Sequence, residues 1–135
     1  MLKVFVSLPM NGRNGLVIKQ KMEYLFRLVQ ARYPDKEFEM IDSFTKDSDI
    51  QEKGRVAMLG HSIQLMADAD VVIFSKDYRL GRGCRIEEQV AIEYNIRREY
   101  ELFEDTKEDN PDLIEYHKRV AGPDKKVDDD VRFYW

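Results

Sequence analysis

Val71-Val72-Ile73-Phe74 runs apolar without a polar break. A strand with one wet face alternates apolar and polar residues, whereas a continuous apolar run indicates a strand covered on both faces. That is how strands read in a parallel sheet enclosed by helices, and the rest of the chain supplies matching parts. Leu2–Leu8 reads as a buried first strand, ended by Pro9. Met10–Gly15 is a loop with the turn dipeptides Asn11-Gly12 and Asn14-Gly15. Ile18, Met22, Leu25 and Val29 then follow helical spacing to Arg32-Tyr33, and Pro34 stops that helix. Phe38–Ile41 is a short second strand closed by Asp42-Ser43, and the polar stretch Thr45–Lys53 reads as loop. Val56, Leu59, Ile63 and Met66 form a second helical stripe before the Val71–Phe74 strand. Ser75–Gly83 is a loop with two glycines. Ile86, Val90 and Tyr94 mark a third helix, and Ile96–Phe103 a fourth strand interrupted by Arg97-Arg98-Glu99. Strand and helix alternate, which predicts an α/β fold with a parallel sheet and right-handed crossovers.

The chain has 135 residues, enough for one domain with a single core. The pattern divides it into an α/β domain over residues 1–103 and an extension over 104–135. The extension holds a charged stretch, a short helix over Asp112–Ala121, a charge run over Asp124–Asp130, and the aromatic end Phe133-Tyr134-Trp135. Those aromatics either pack on this chain's own core or dock on a neighbour.

A net charge of -4 argues against a nucleic-acid polymer as partner, because such binding needs a basic face. No apolar run approaches membrane-spanning length, and Met1–Val6 is too short for a signal-peptide core. Cys84 is the one cysteine, which excludes an intrachain disulfide and fits a reducing compartment; the cytoplasm is the expected location. With one cysteine and two histidines no metal-ligand set is visible, and no cofactor is called for.

Ligands of open parallel sheets bind at the carboxyl ends of the strands. Three loops leave that edge: Pro9–Gly15, Asp42–Lys53 and Ser75–Gly83. Gly81-Arg82-Gly83-Cys84-Arg85-Ile86-Glu87 is read as placing a carboxylate in the first turn of a helix, where unpaired N–H groups and the helix dipole favour the ionised form a nucleophile requires. The competing reading is that acidic residues occupy first turns because they stabilise helices. Glu88 lies roughly 100° further around and is expected to point elsewhere. Gly81-x-Gly83 is a poor dinucleotide fingerprint: it lacks the third glycine and follows the third strand. In Pro9-Met10-Asn11-Gly12-Arg13, Gly12 allows close backbone approach and Arg13 offers a forked donor for phosphate; an ordinary turn explains the same spacing. Arg79, Arg82 and Arg85 add positive charge near this edge, or pair with surface acids. Asp42 either caps a turn or touches a sugar hydroxyl.

Taken in order, Val6-Ser7-Leu8-Pro9-Met10-Asn11-Gly12-Arg13, Ile41-Asp42-Ser43-Phe44, Leu59-Gly60-His61-Ser62-Ile63, Ala67-Asp68-Ala69-Asp70-Val71-Val72, and Gly83-Cys84-Arg85-Ile86-Glu87 with Ala91 and Tyr94 resemble the small, phage- and prophage-associated branch of the nucleoside 2-deoxyribosyltransferase-like proteins. The resemblance covers about Leu2 to Ile96. It implies a flavodoxin-like, doubly wound parallel sheet and cleavage or exchange of an N-glycosidic bond in a nucleoside or nucleotide. It also implies that Glu87 is the nucleophile, that Asn11-Gly12-Arg13 and Arg85 hold a 5′-phosphate, and that Pro9, Met10, Asp42, Ser62, Gly83 and Cys84 line the site. The relatives are oligomers whose neighbours help close the site, so a homo-oligomer is expected, with Val56–Met66 as a candidate contact. Two positions depart from the pattern. His61-Ser62 stands about where the enzymes carry a base-side aspartate, and Val4-Phe5 where they carry a tyrosine. These departures keep open a second expectation, a module that binds a nucleotide without turning it over.

Overall fold

The computed structural model describes residues 1–10, 13–43 and 48–102. Asn11, Gly12 and Phe44 lie outside the described residues, as does the extension with its expected helix, charge run and aromatic end.

Strand β1 (Leu2–Ser7) leads to helix α1 (Gly15–Arg32) and strand β2 (Phe38–Met40). A short helix α2 (Ser48–Glu52) and helix α3 (Arg55–Met66) return the chain to strand β3 (Val71–Phe74). A single 3-10 turn (Tyr78–Leu80), helix α4 (Arg82–Glu93) and strand β4 (Arg97–Tyr100) complete the described fold. The strands stand in the order β2-β1-β3-β4, all parallel, in a flavodoxin-like arrangement. No helix among the described residues is long and apolar enough to cross a membrane.

Alternation along the strands sorts the core into two layers. Val4, Val6, Val71 and Ile73 meet Ile18, Met22, Leu25 and Val29 of α1 on one face. Phe5, Val72 and Phe74 meet Met66 of α3 with Cys84 and Ala91 of α4 on the other. The α1 stripe therefore packs as its spacing predicts. The helix starts cleanly because the Asn14 side chain accepts the Leu16 N–H at 2.8 Å, filling one of the unpaired donors of the first turn.

Four sequence expectations need correction. Residues 48–52 form α2 within a stretch read as loop, and the Ser75–Gly83 loop contains the 3-10 turn. In α3 only Met66 is fully buried, and Val56, taken as part of its apolar stripe, is 83% exposed. In α4 two of the three expected stripe residues, Ile86 and Tyr94, are exposed; Val90 packs half-buried against the core, and Cys84, Glu87, Glu88 and Ala91 are the buried residues. That i, i+3, i+4, i+7 set is the geometry of a core-facing helix, and here two of its four positions are carboxylates. Strand β4 forms despite its charges because it lies at the end of the described sheet and its charges find partners. Glu99 accepts from Tyr33 Oη at 2.6 Å and Arg32 at 3.1 Å, and Arg98 donates to the Ala91 carbonyl at 3.2 Å.

From β1 the chain moves outward to β2; from β3 it moves the opposite way to β4. The crevice between the carboxyl ends of β1 and β3 is thus the topological switch point, where open α/β sheets hold ligands.

Candidate active site at the switch point

Ser7 is the last residue of β1 and shares the strand face of Phe5, which looks toward α4. Its hydroxyl donates to Glu87 Oε1 at 2.7 Å, and both groups are buried. Among the described residues Ser7 is the hydrogen-bond partner of Glu87. Burial dominates the protonation of this carboxyl: it is pushed up to about 7, although the Ser7 hydrogen bond pulls the other way. The expected first-turn placement is therefore corrected. No acidic residue lies in the first turn of α4, and Glu87 sits a turn deeper, where desolvation outweighs the helix dipole. Near neutral pH this carboxyl populates both protonation states.

Cys84 stands one turn before Glu87 on the same buried face. Burial first, and the neighbouring Glu87 charge second, push its thiol up to about 12, so it remains a neutral, protonated wall of the crevice. Pro9 and Gly81 close around it. A Cβ on Gly81 would lie 3.0 Å from Cys84 Sγ and 3.3 Å from Pro9, so glycine permits this close approach of the first and third loops.

A second carboxylate was not anticipated. Asp77, just beyond β3, is buried; it accepts hydrogen bonds from Ser75 Oγ and from the Arg13 guanidinium, with which it forms an ion pair. Burial raises its carboxyl, but the Ser75 and Arg13 hydrogen bonds and the Arg13 charge prevail and hold it below the usual range. Asp77 and Arg13 also act electrostatically on Cys84, as Glu87 does. One crevice thus holds two carboxylates whose surroundings drive their protonation in opposite directions, a feature of sites that use carboxyl groups in different roles. Further along the same edge, Glu101 is buried, accepts from Lys21 Nζ at 2.8 Å and from the Lys76 N–H at 2.9 Å, and ties β4 to α1.

Glu88 points away from the Ser7–Glu87 pair, as its place around the helix predicts. It is buried beside Glu87, and its Oε2 accepts from Tyr78 Oη at 3.0 Å and Tyr100 Oη at 2.7 Å. The rings of Tyr78 and Tyr100 pack on Phe74, so Glu88 anchors an aromatic cluster.

The remaining sequence candidates divide. Pro9, Arg13, Cys84 and Glu87 come together through Ser7, Gly81 and Asp77. Met10 is exposed, and its carbonyl accepts the Arg13 N–H at 3.2 Å. Gly83 faces Leu59 of α3, where a Cβ would make ordinary contact at 3.7 Å. Ser62 is half-buried on α3, and Asp42 is exposed beyond β2. Arg85 does not face the crevice: it is exposed and donates to the Arg79 carbonyl. Strand alternation from Phe5 was a signal for Ser7; Asp77 carried no sequence signal, because its partner Arg13 is 64 residues away.

A cavity of about 470 Å³ opens at the opposite, amino edge, lined in part by Tyr33, Phe38, Asp70 and Arg97. It contains no buried carboxylate, since Asp70 is exposed. Its size does not outweigh the paired buried carboxylates at the switch point, which bear on chemistry directly. Among the described residues no group of three or more His, Cys, Asp or Glu is placed to hold a metal. The chain matches no protein-family model, no curated protein and no solved structure.

Proposed function

We propose that this protein is a nucleoside 2-deoxyribosyltransferase-like enzyme that cleaves or exchanges the N-glycosidic bond of a nucleoside- or nucleotide-like substrate, with Glu87 as nucleophile. The observation that carries the reading is the buried Ser7–Glu87 pair at the switch point. In its ionised form Glu87 attacks the anomeric carbon. The C–N bond breaks, its electron pair leaves with the base, and a glycosyl ester forms on Glu87. Water or the N–H of a second base then attacks the same carbon, its proton passes to the base that left, the ester bond breaks, and the carboxylate is regenerated. Ser7 fixes the orientation of the carboxylate, and the burial of Glu87 keeps bulk water from it. The scheme requires no cofactor.

Because the nucleophile must be ionised, kcat/KM should rise with pH through about 7 and then level off. Ser7→Ala should move that rise to higher pH, since the hydrogen bond it removes favours the charged form. The decisive assay incubates the chain with nucleosides, nucleotides and NAD and reads free base and sugar by mass. Glu87→Gln should reduce any such turnover roughly a thousandfold or more; equal turnover by variant and parent would rule Glu87 out.

A second reading rests on one observation, the burial of Glu87 against Ser7: a carboxyl desolvated in this way holds its proton more tightly and can donate a hydrogen bond to a ligand. On that reading the site binds a nucleotide and releases it unchanged, and mass analysis would recover only intact ligand. Either form is proposed to be a homo-oligomer, supported by Val56 and Met58 of α3, which are 83% and 43% exposed. A light-scattering mass near the 16.0 kDa of one chain would refute the oligomer.

A further inference from the structure

Among the described residues, the cations around the crevice do not present an open anion site. Arg13 is bound to Asp77, and Lys21 to Glu101. Lys76 is buried and engaged in interactions of its own. Arg79 donates to Tyr78 Oη at 3.0 Å and lies over that ring. Arg85 is spent on a backbone carbonyl, and Arg82 is exposed about 140° around α4 from Glu87. The cation the sequence assigned to phosphate, Arg13, is thus already neutralised by a carboxylate inside the protein.

Resting on the N-glycoside reading, we propose that Asp77 makes this crevice select an uncharged nucleoside over the corresponding 5′-monophosphate. A phosphate that approaches Arg13 meets two costs. It can share the guanidinium with Asp77, whose side chain is only 7% exposed, so the repulsion is weakly screened. Or it can displace Asp77 and leave a buried carboxylate that has lost its counter-charge and keeps only neutral donors, the Ser75 hydroxyl and its own backbone N–H. Asp77 has no ready escape by taking up a proton, because Ser75 and Arg13 favour its charged form. A sugar hydroxyl meets neither cost. It can donate to Asp77 or accept from Arg13 while the ion pair stays closed, and the Arg13 side chain is 33% exposed to receive it. Selection here comes from an internal charge placed against the wrong ligand, a common means of discrimination.

Calorimetric titration of the full chain with each common 2′-deoxynucleoside and its 5′-monophosphate tests the idea. The parent should bind a nucleoside at least about tenfold tighter than its monophosphate, the scale set by opposing or removing one charge-assisted hydrogen bond. Asp77→Asn should shift the ratio toward the monophosphate by about tenfold, and adding Arg13→Ala should cancel the shift. The parent ratio needs no variant, so it decides the matter even if Asp77→Asn folds poorly. A parent that takes the monophosphate as well as or better than the nucleoside overturns this proposal and leaves the N-glycoside reading standing. A parent that takes neither overturns both. An unchanged ratio in a folded Asp77→Asn variant shows that Asp77 does not set the selection.

Discussion

Helices α1 and α4 pack on opposite faces of one sheet and fill their buried stripes differently. The buried residues of α1 are Ile18, Met22, Leu25 and Val29, all apolar. Those of α4 are Cys84, Glu87, Glu88 and Ala91, while Ile86 and Tyr94 are exposed. Burying a carboxyl is costly unless it is paired or neutralised, and α4 uses both remedies. Glu88 is paired with two tyrosine hydroxyls, and Glu87 is half neutralised by its raised affinity for a proton. The contrast shows how a site can be located: α1 follows the packing rule because it only holds the fold together, and α4 breaks it where the chemistry is proposed.

Substitutions in the two helices test that contrast. The largest stability effect is expected in α1. Leu25→Ala removes a side chain with no exposed surface and should cost about 2–5 kcal/mol in urea unfolding, with no change in pH dependence. A small cost would mean that α1 is not the structural half of the pair.

The next effect belongs to Glu87 and depends on pH. Its folded carboxyl lies near 7, above the ordinary 4.5. Between those values the native state holds a proton that the unfolded chain has released, so stability falls as pH rises. The loss starts near 4.5, is complete above about 7, and amounts to roughly 3 kcal/mol at most. Glutamine has no such proton and can still accept from Ser7. Glu87→Gln should therefore gain on the parent between pH 4 and pH 8.5; parallel stability curves would show that the carboxyl is not strained by burial.

Glu88→Gln should cost about 1–3 kcal/mol, because two hydrogen bonds to a buried carboxylate become bonds to a neutral amide. The change should appear in the urea midpoint; no change would mean the tyrosines do not hold Glu88. Smallest of all, Ile86→Ala should stay within about 0.5 kcal/mol despite its apolar side chain, since Ile86 is 41% exposed. A core-sized loss there would restore the stripe read from the sequence and undo the comparison.

The fold class was legible in the chain alone, because the spacing of apolar residues is a local property. The run Val71–Phe74 required cover on both faces, the 18-22-25-29 stripe required a helix against it, and Pro34 and the turn dipeptides set the breaks. The same pattern directed attention to the third loop and to Glu87. It misjudged the inward face of α4, because a hydrophobic-stripe argument assumes that apolar side chains turn inward, and here the hydroxyls of Ser7, Tyr78 and Tyr100 make a polar face the better one to bury. Those partners lie 80, 10 and 12 residues from the carboxylates they meet, and Arg13 lies 64 from Asp77. Such pairs exist only once the chain has folded, and with them come the protonation of Glu87 and the neutralisation of Arg13. Charge and burial depend on which groups the closed sheet brings within a few ångströms, and periodicity along the chain carries no record of that.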